Sequence, residues 1–205
     1  MAMITQKTRQ VYLTSMLLLV VVYFIIGFYP FKFLALSVGQ HDNGAEFTPE
    51  GSLHFRSPGI AQTLTAPAWL QKAITKSDFE LSLEVRTTDQ EQYGPARIFT
   101  LSENPSHRNI TVGQEGTNLI VRVRTQRTSL NGTPDYLIKK FFLESGWHSI
   151  DVLVTGKTLE IHVDEDSLVI ERLTDQALDA WDSGYRLALG NELTGDRPWL
   201  GEIRK

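Results

Sequence analysis

The chain has 205 residues, 41% of them hydrophobic, with 20 basic and 24 acidic side chains and a formal net charge of −4. It contains no cysteine, which removes disulfide staples, thiolate metal sites and a cysteine nucleophile together and leaves the hydrophobic core to hold the fold. Lys7, Arg9 and Lys32 are the only charges before Asp42, so the remainder is more acidic than the whole, a poor balance for nucleic acid, whose binding needs phosphates neutralised.

From Val11 to Phe31 no residue is charged. As a helix at 1.5 Å per residue this run reaches roughly 30 Å, one hydrocarbon core. Met16 to Ile26 is almost entirely Leu, Val, Ile and aromatic. Thr14 and Ser15 can bond back to helix carbonyls, Tyr12 and Tyr29 fall near the two interfaces, and Pro30 ends the helix. The expectation is a transmembrane signal anchor over residues 11–31. Lys7 and Arg9 precede it and only Lys32 closely follows, which places residues 1–10 in the cytoplasm and the bulk of the chain outside. The alternative is a signal peptide cleaved near Ala35-Leu36-Ser37, but such peptides have an apolar region of about 7–15 residues, shorter than this run. The chain is thus expected to be a single-pass protein of the cytoplasmic, or inner, membrane.

Residues 32–44 read as a linker, with Gln40 to Gly44 polar. Beyond it the hydrophobic period is two. Phe79, Leu81, Leu83 and Val85 alternate with Glu80, Ser82, Glu84 and Arg86. Ala96 to Leu101 and Asn109 to Gln114 are short strand candidates, and Leu119 to Thr125 alternates with Arg122 and Arg124 outward. Tyr136 to Leu143 is a further candidate. Trp147 to Thr155, the turn Gly156-Lys157, and Thr158 to Val163 form the clearest hairpin, with Val152 and Ile161 inward. Asp164-Glu165-Asp166 turns into Leu168 to Ile170. An irregular or briefly helical piece spans Thr174 to Trp181, and Tyr185 to Leu189 and Trp199 to Ile203 are late strands. Short strands at this spacing predict an all-β, two-sheet jelly-roll sandwich over residues 45–205.

Several segments together resemble the concanavalin A-like lectin/glucanase superfamily, in its laminin-G-like form. They are Gly51-Ser-Leu-His-Phe55, Phe79 to Val85, Trp147-His-Ser-Ile-Asp-Val152 with Gly156 to Asp164, Leu189-Gly-Asn191 and Trp199-Leu-Gly-Glu-Ile203. Pro95 to Ser102, Arg108 to Gln114 and Val121 to Thr125, with the helix ending Tyr29-Pro-Phe31, look like the jelly-roll domain attached to VanZ-like membrane proteins. The resemblance implies a lectin-like domain beside a membrane, with a membrane-protein partner among its expectations. Calcium serves some relatives through an Asp after the closing Gly-x-Ile. Arg204 stands there and has no acceptor lone pair, so no cofactor is expected.

The glucanases of that superfamily carry E-x-D-x-x-E on one strand, bringing two carboxyls together. The nearest stretch here, Glu160-Ile-His-Val-Asp164-Glu-Asp166, has the wrong spacing and reads as a solvated strand face. No other catalytic motif occurs, and the histidines at 41, 54, 107, 148 and 162 lack metal-ligand spacing. No catalytic or metal residues are therefore assigned. Arg97, Asn109, Thr111, Arg122 and Arg124 would share a polar face if neighbouring strands pair in order, able to bond sugar hydroxyls or anionic groups; an ordinary solvated face, with Glu80 or Glu84 neutralising the arginines, is the alternative. Trp69, Trp147, Trp181 and Trp199 could stack on a sugar, though Trp147 and Trp199 lie in strand patterns that predict core packing. The expected function is binding of a glycan or other envelope component without catalysis. The alternatives are a glycan hydrolase with an unusual carboxylate site and a purely structural interaction domain.

Overall fold

The computed structural model describes residues 6–28, 43–164 and 166–204, with side chains described from residue 10 to 23 in the N-terminal helix. The chain divides into two compact units, Met1–His41 and Asp42–Lys205. The first contains α1 (Gln6–Phe28), which begins upstream of the charge-free run and takes in Lys7 and Arg9. Along it Val11 to Tyr23 are exposed. Among the described residues no helix is long and apolar enough to cross a membrane. Pro30, the span's expected end at residue 31 and most of the linker lie outside the described residues.

The second unit is a sandwich of two antiparallel sheets. The larger is ordered β1 (Ala45–Phe47), β2 (Leu53–Phe55), β13 (Gly201–Arg204), β4 (Asp78–Thr87), β9 (His148–Thr155), β10 (Thr158–Val163) and β11 (Asp166–Arg172). The smaller is ordered β3 (Ala61–Gln62), β12 (Arg186–Leu189), β5 (Ala96–Asn104), β6 (His107–Glu115), β7 (Asn118–Val123) and β8 (Tyr136–Ile138). Both inner faces are apolar at every second residue, which is how a pleated strand presents one side to a core. Leu81, Val152 and Ile161 pair in one row across the larger sheet, and Phe99, Val112 and Val121 in one row across the smaller. All six are buried.

The expected hairpin is β9–β10, turning at Gly156, whose φ of 59° suits glycine. Three expectations need correction. Tyr136 to Leu143 forms a strand only over β8; Phe141 and Phe142 then turn inward and pack beside His148. Residues 70–76 form a helix, α2 (Leu70–Lys76), which the period-two reading did not contain. So short a segment cannot display a helical hydrophobic period. It is held instead by tertiary contacts: Leu70 is buried, and Ser77 beyond its end donates from Oγ to the Gly156 carbonyl at 2.9 Å. Trp147 precedes β9 and is half-buried rather than in the core. The guanidinium groups of Arg204 and Arg86 lie 4.0 and 5.1 Å from its ring centre. Trp199 is fully buried as expected.

The loop between β12 and β13 takes its path from its first two residues. Gly190 opens it at φ 74°, and a Cβ there would lie 2.0 Å from the Phe55 ring, so only glycine lets the chain pass. Asn191 then folds the loop on itself, its Oδ1 accepting from the Glu192 and Arg197 amides, both at 2.9 Å. This carries Glu192 inward, where it is fully buried.

Candidate functional site

The outer face of the smaller sheet is polar, as the alternation predicts, but it is not solvated. Its middle row runs Ala188, Thr100, Thr111 and Arg122 across β12, β5, β6 and β7. Ala188, Thr100 and Thr111 are fully buried, and the two threonine hydroxyls bond at 2.9 Å. Arginines stand around this floor of small side chains. Arg97 and Arg108 are 2% and 1% exposed; the Arg122 and Arg197 side chains reach the surface further, at 16% and 34%.

Two loops make the cover. The Asn191–Arg197 loop supplies Glu192, which accepts from Arg97 Nε at 3.2 Å and from Ser102 Oγ at 2.5 Å. The segment after β7 returns over the sheet: the Leu130 carbonyl accepts from the Arg108 amide at 3.0 Å, and a Cβ on Gly132 would lie 3.0 Å from that of Arg122. Asp135 ends this segment and pairs with Arg122 at 3.3 Å.

The charges do not balance locally. Arg97 pairs with Glu192, Arg122 with Asp135 and Arg197 with Asp196. Among the described residues Arg108 has no carboxylate partner; its Nη1 reaches Thr111 Oγ1 at 3.4 Å. Nε of Arg108, Arg122 and Arg197 are each buried without a hydrogen-bond partner. Burial pushes the Arg108 guanidinium down to about 10, with Arg97 lowering it further and Glu192 opposing. Arg97 is likewise lowered by burial, against the pull of Glu192. Both stay charged at neutral pH, so each shift measures a cost carried by the folded state rather than a loss of charge.

Of the residues expected to share a face, Arg97, Thr111 and Arg122 come together. Asn109 does not join them. A bulge between the Leu101–Ile110 and Ser102–Arg108 pairs displaces it, and it pins the Asp182 backbone instead, donating to the carbonyl at 2.7 Å and accepting from the amide at 2.8 Å. Arg124 lies beyond β7, with Nη1 at 3.5 Å from the Tyr185 hydroxyl and its carbonyl accepting from Trp181 Nε1 at 2.9 Å. Neither Glu80 nor Glu84 neutralises these arginines. Both lie on β4 of the other sheet, where Glu84 accepts from Arg204 at 2.5 Å.

Arg108, Glu192 and Arg197 were missed by sequence reasoning. The same bulge shifts the alternation, so Arg108 rather than Asn109 faces Thr111. Glu192 arrives from a loop distant in sequence, and its one signal was that outward arginines on a net-acidic chain need a counter-charge.

Elsewhere, a pocket of about 570 Å³ is lined by Trp69, Phe79, Leu81, Phe99 and Leu187, with Lys72 and Lys76 of α2 beside them. Trp69 is 43% exposed there. The acidic stretch considered for catalysis is spent on local bonds: Glu160 lies 3.1 Å from His162, and Asp164 accepts from His148 Nδ1 at 2.7 Å and the Ser149 amide at 2.8 Å. Among the described residues no three His, Asp or Glu side chains gather as metal ligands; Glu165 lies outside them.

No protein-family model matches the chain, and no curated protein matches it in sequence. Solved structures do match in fold. One described as the crystal structure of the receptor binding domain is 11% identical at a TM-score of 0.59, covering 79% of this chain and 40% of its own. The binding domain of botulinum neurotoxin DC in complex with rat synaptotagmin II is 11% identical at 0.54, covering 78% and 41%. The same binding domain in complex with SialylT is 10% identical at 0.56, covering 78% and 39%. This chain thus corresponds to about 40% of those chains. At such identities the likeness is one of fold, and the β-sandwich of residues 43–204 shares the architecture of these binding domains.

Proposed function

We propose that the sandwich is a non-catalytic binding module for a glycan or related envelope component, held outside the cytoplasm by the N-terminal helix, and that it binds through the outer face of the smaller sheet. The observation that carries this is the convergence of Arg97, Arg108, Thr111 and Arg122 on one face, with arginine donor groups left unpaired. Buried donors gathered on one face without an acceptor among the described residues are what a binding site for oxygen-rich ligands can use. The fold supports the reading, since similarly folded chains are described as binding domains, one of them in complex with SialylT. The resemblance to jelly-roll domains of VanZ-like membrane proteins agrees with a position beside a membrane and a membrane-protein partner.

The test is binding of the full chain, in detergent micelles, to an array of neutral and acidic envelope glycans. Binding is expected, with at least tenfold weakening in Arg122→Gln. Retention of no glycan overturns the proposal and favours the structural role. Release of reducing sugar from any arrayed polysaccharide would instead revive the hydrolase. A second reading places a sugar on Trp69, because that indole is the exposed aromatic of the 570 Å³ pocket. It requires Trp69→Ala, and not Arg122→Gln, to abolish binding.

A further inference from the structure

We infer that the arginine cluster is a site for a single oxyanion, a carboxylate, sulfate or phosphate carried by an acidic glycan, and that Arg108 is the cation it completes. This rests on the proposed binding face and names the chemistry it selects.

Four guanidinium groups, those of Arg97, Arg108, Arg122 and Arg197, meet three carboxylates, those of Glu192, Asp135 and Asp196. One positive charge is left over among the described residues, and it falls on Arg108, at 1% exposure. The other three arginines all act on it to disfavour its charge. A buried cation without a counter-ion is among the costliest features a fold can hold, and an oxyanion removes that cost on arrival.

Hydrogen-bond capacity gives the same answer independently. The Nε atoms of Arg108, Arg122 and Arg197 are N–H donors sealed from solvent with no hydrogen-bond partner among the described residues, that of Arg197 lying 3.7 Å from Asp196. An oxyanion is an acceptor on every side, and guanidinium forks match it in two-point fashion. A neutral sugar hydroxyl offers one donor with its acceptor and leaves the charge uncompensated.

Access runs through the two arginines that reach the surface. Arg122 and Arg197 are held by Asp135 and Asp196, whose side chains are 33% and 53% exposed. These exposed carboxylates can swing into water at little cost, freeing both guanidiniums toward an incoming anion. Glu192, fully buried and bonded to both Arg97 and Ser102, stays in place. Its charge stays with Arg97, so the incoming anion meets Arg108, Arg122 and Arg197.

The experiment uses the full chain in detergent micelles, titrated with inorganic sulfate and with inorganic phosphate against chloride at equal ionic strength. Millimolar concentrations are used, where exclusion of such anions from protein surfaces shifts Tm little. A saturable rise in Tm of several degrees is expected with either oxyanion. Arg108→Met should abolish the rise while leaving Tm without anion equal to or above that of the parent, since it removes an uncompensated buried charge. A merely structural arginine would lower it. Should that variant not fold, Arg122→Gln and Arg197→Gln carry the test, each reducing the anion response at least tenfold in apparent affinity. An identical response to sulfate and chloride, or a response unchanged in all three variants, overturns the inference. A second arm separates it from the proposed function by comparing an acidic glycan with its carboxyl-reduced form. Equal binding of both overturns the oxyanion site and leaves glycan binding standing. Response to the inorganic anions with no glycan bound overturns the glycan function and leaves the oxyanion site standing.

Discussion

At the residue scale, two buried polar groupings lie on opposite sides of the smaller sheet and obey different rules. On the inner side, Gln114 is fully satisfied. Its Nε2 donates to the Asp89 and Gly116 carbonyls, both at 2.8 Å, and its Oε1 accepts from Gln92 Nε2 at 3.0 Å and Trp199 Nε1 at 2.8 Å. Gln92 continues the network to the Leu200 backbone, accepting from its amide at 2.6 Å. This ties β6 to the entry of β13 and reads as structure. On the outer side, arginine donors stay unsatisfied, which reads as a place for something else. The difference predicts opposite outcomes for mutation. Gln114→Met takes a hydrogen bond from four partners; Gln92 Nε2 keeps Thr87 Oγ1 and the Leu200 carbonyl, and the Asp89 carbonyl keeps Thr87 Oγ1, but Trp199 Nε1 and the Gly116 carbonyl are left unpaired. At about 1–3 kcal/mol for each buried unsatisfied group it should cost about 2–5 kcal/mol. Urea unfolding followed by tryptophan fluorescence measures this; a loss below about 1 kcal/mol would mean the network contributes nothing. Sequence alone showed Gln114 and Thr111 as alternate positions of one strand. It could not show that one faces a core with ready partners and the other a covered face without them, because those partners come from Asp89, Trp199 and Glu192, far away in the chain.

At the element scale, legibility followed contact range. The hairpin β9–β10 was readable because its strands are adjacent in sequence, alternate without fault and turn through a glycine with positive φ. β4 was readable for the same alternation. What escaped was set by distant neighbours: α2, held by Leu70 and by Ser77 bonding the hairpin turn, and the bulges that break the β5–β6 register. A bulge shifts every side chain beyond it to the other face, which is why Arg108, and not Asn109, stands beside Thr111. The hairpin therefore gives the cleanest test of the fold. Val152 and Ile161 are directly paired and fully buried. Val152→Asp or Ile161→Asp should each cost at least about 3 kcal/mol, because a carboxylate would be buried with no partner, whereas Lys157→Ala at the turn should change stability by less than about 1 kcal/mol. Thermal melts of the three variants decide it, and an unchanged Tm in either aspartate variant would place the hairpin in another register.

At the scale of the whole molecule, the sandwich and the helix place their apolar residues differently. The sandwich buries an aliphatic core between its sheets, though Leu64 and Ile170 stay exposed, and its sequence is net acidic, as a domain in water can be. In α1 the apolar residues from Val11 to Tyr23 are exposed and lie on every side of the helix rather than on one face. A helix apolar all round has no stable place in water, and the charge-free run continues in sequence to Phe31, long enough to reach across a hydrocarbon core. We therefore propose retention of this helix as a membrane anchor with Lys7 and Arg9 on the cytoplasmic side. Under that proposal the arginine cluster stands outside the cytoplasm, where an oxyanion site would meet envelope polymers rather than nucleotides. With an N-terminal tag on the full chain expressed in a bacterial cell, protease added to intact spheroplasts should digest the sandwich and leave the tag protected, and alkaline carbonate should leave the tag in the membrane pellet. Reversing the flanking charges, with Lys7→Glu, Arg9→Glu and two lysines added after Lys32, should invert the protection pattern in a large share of molecules. A soluble protein lacking the tag would show a cleaved leader, and a tag digested in the unmutated chain would place the sandwich, and its anion site, in the cytoplasm.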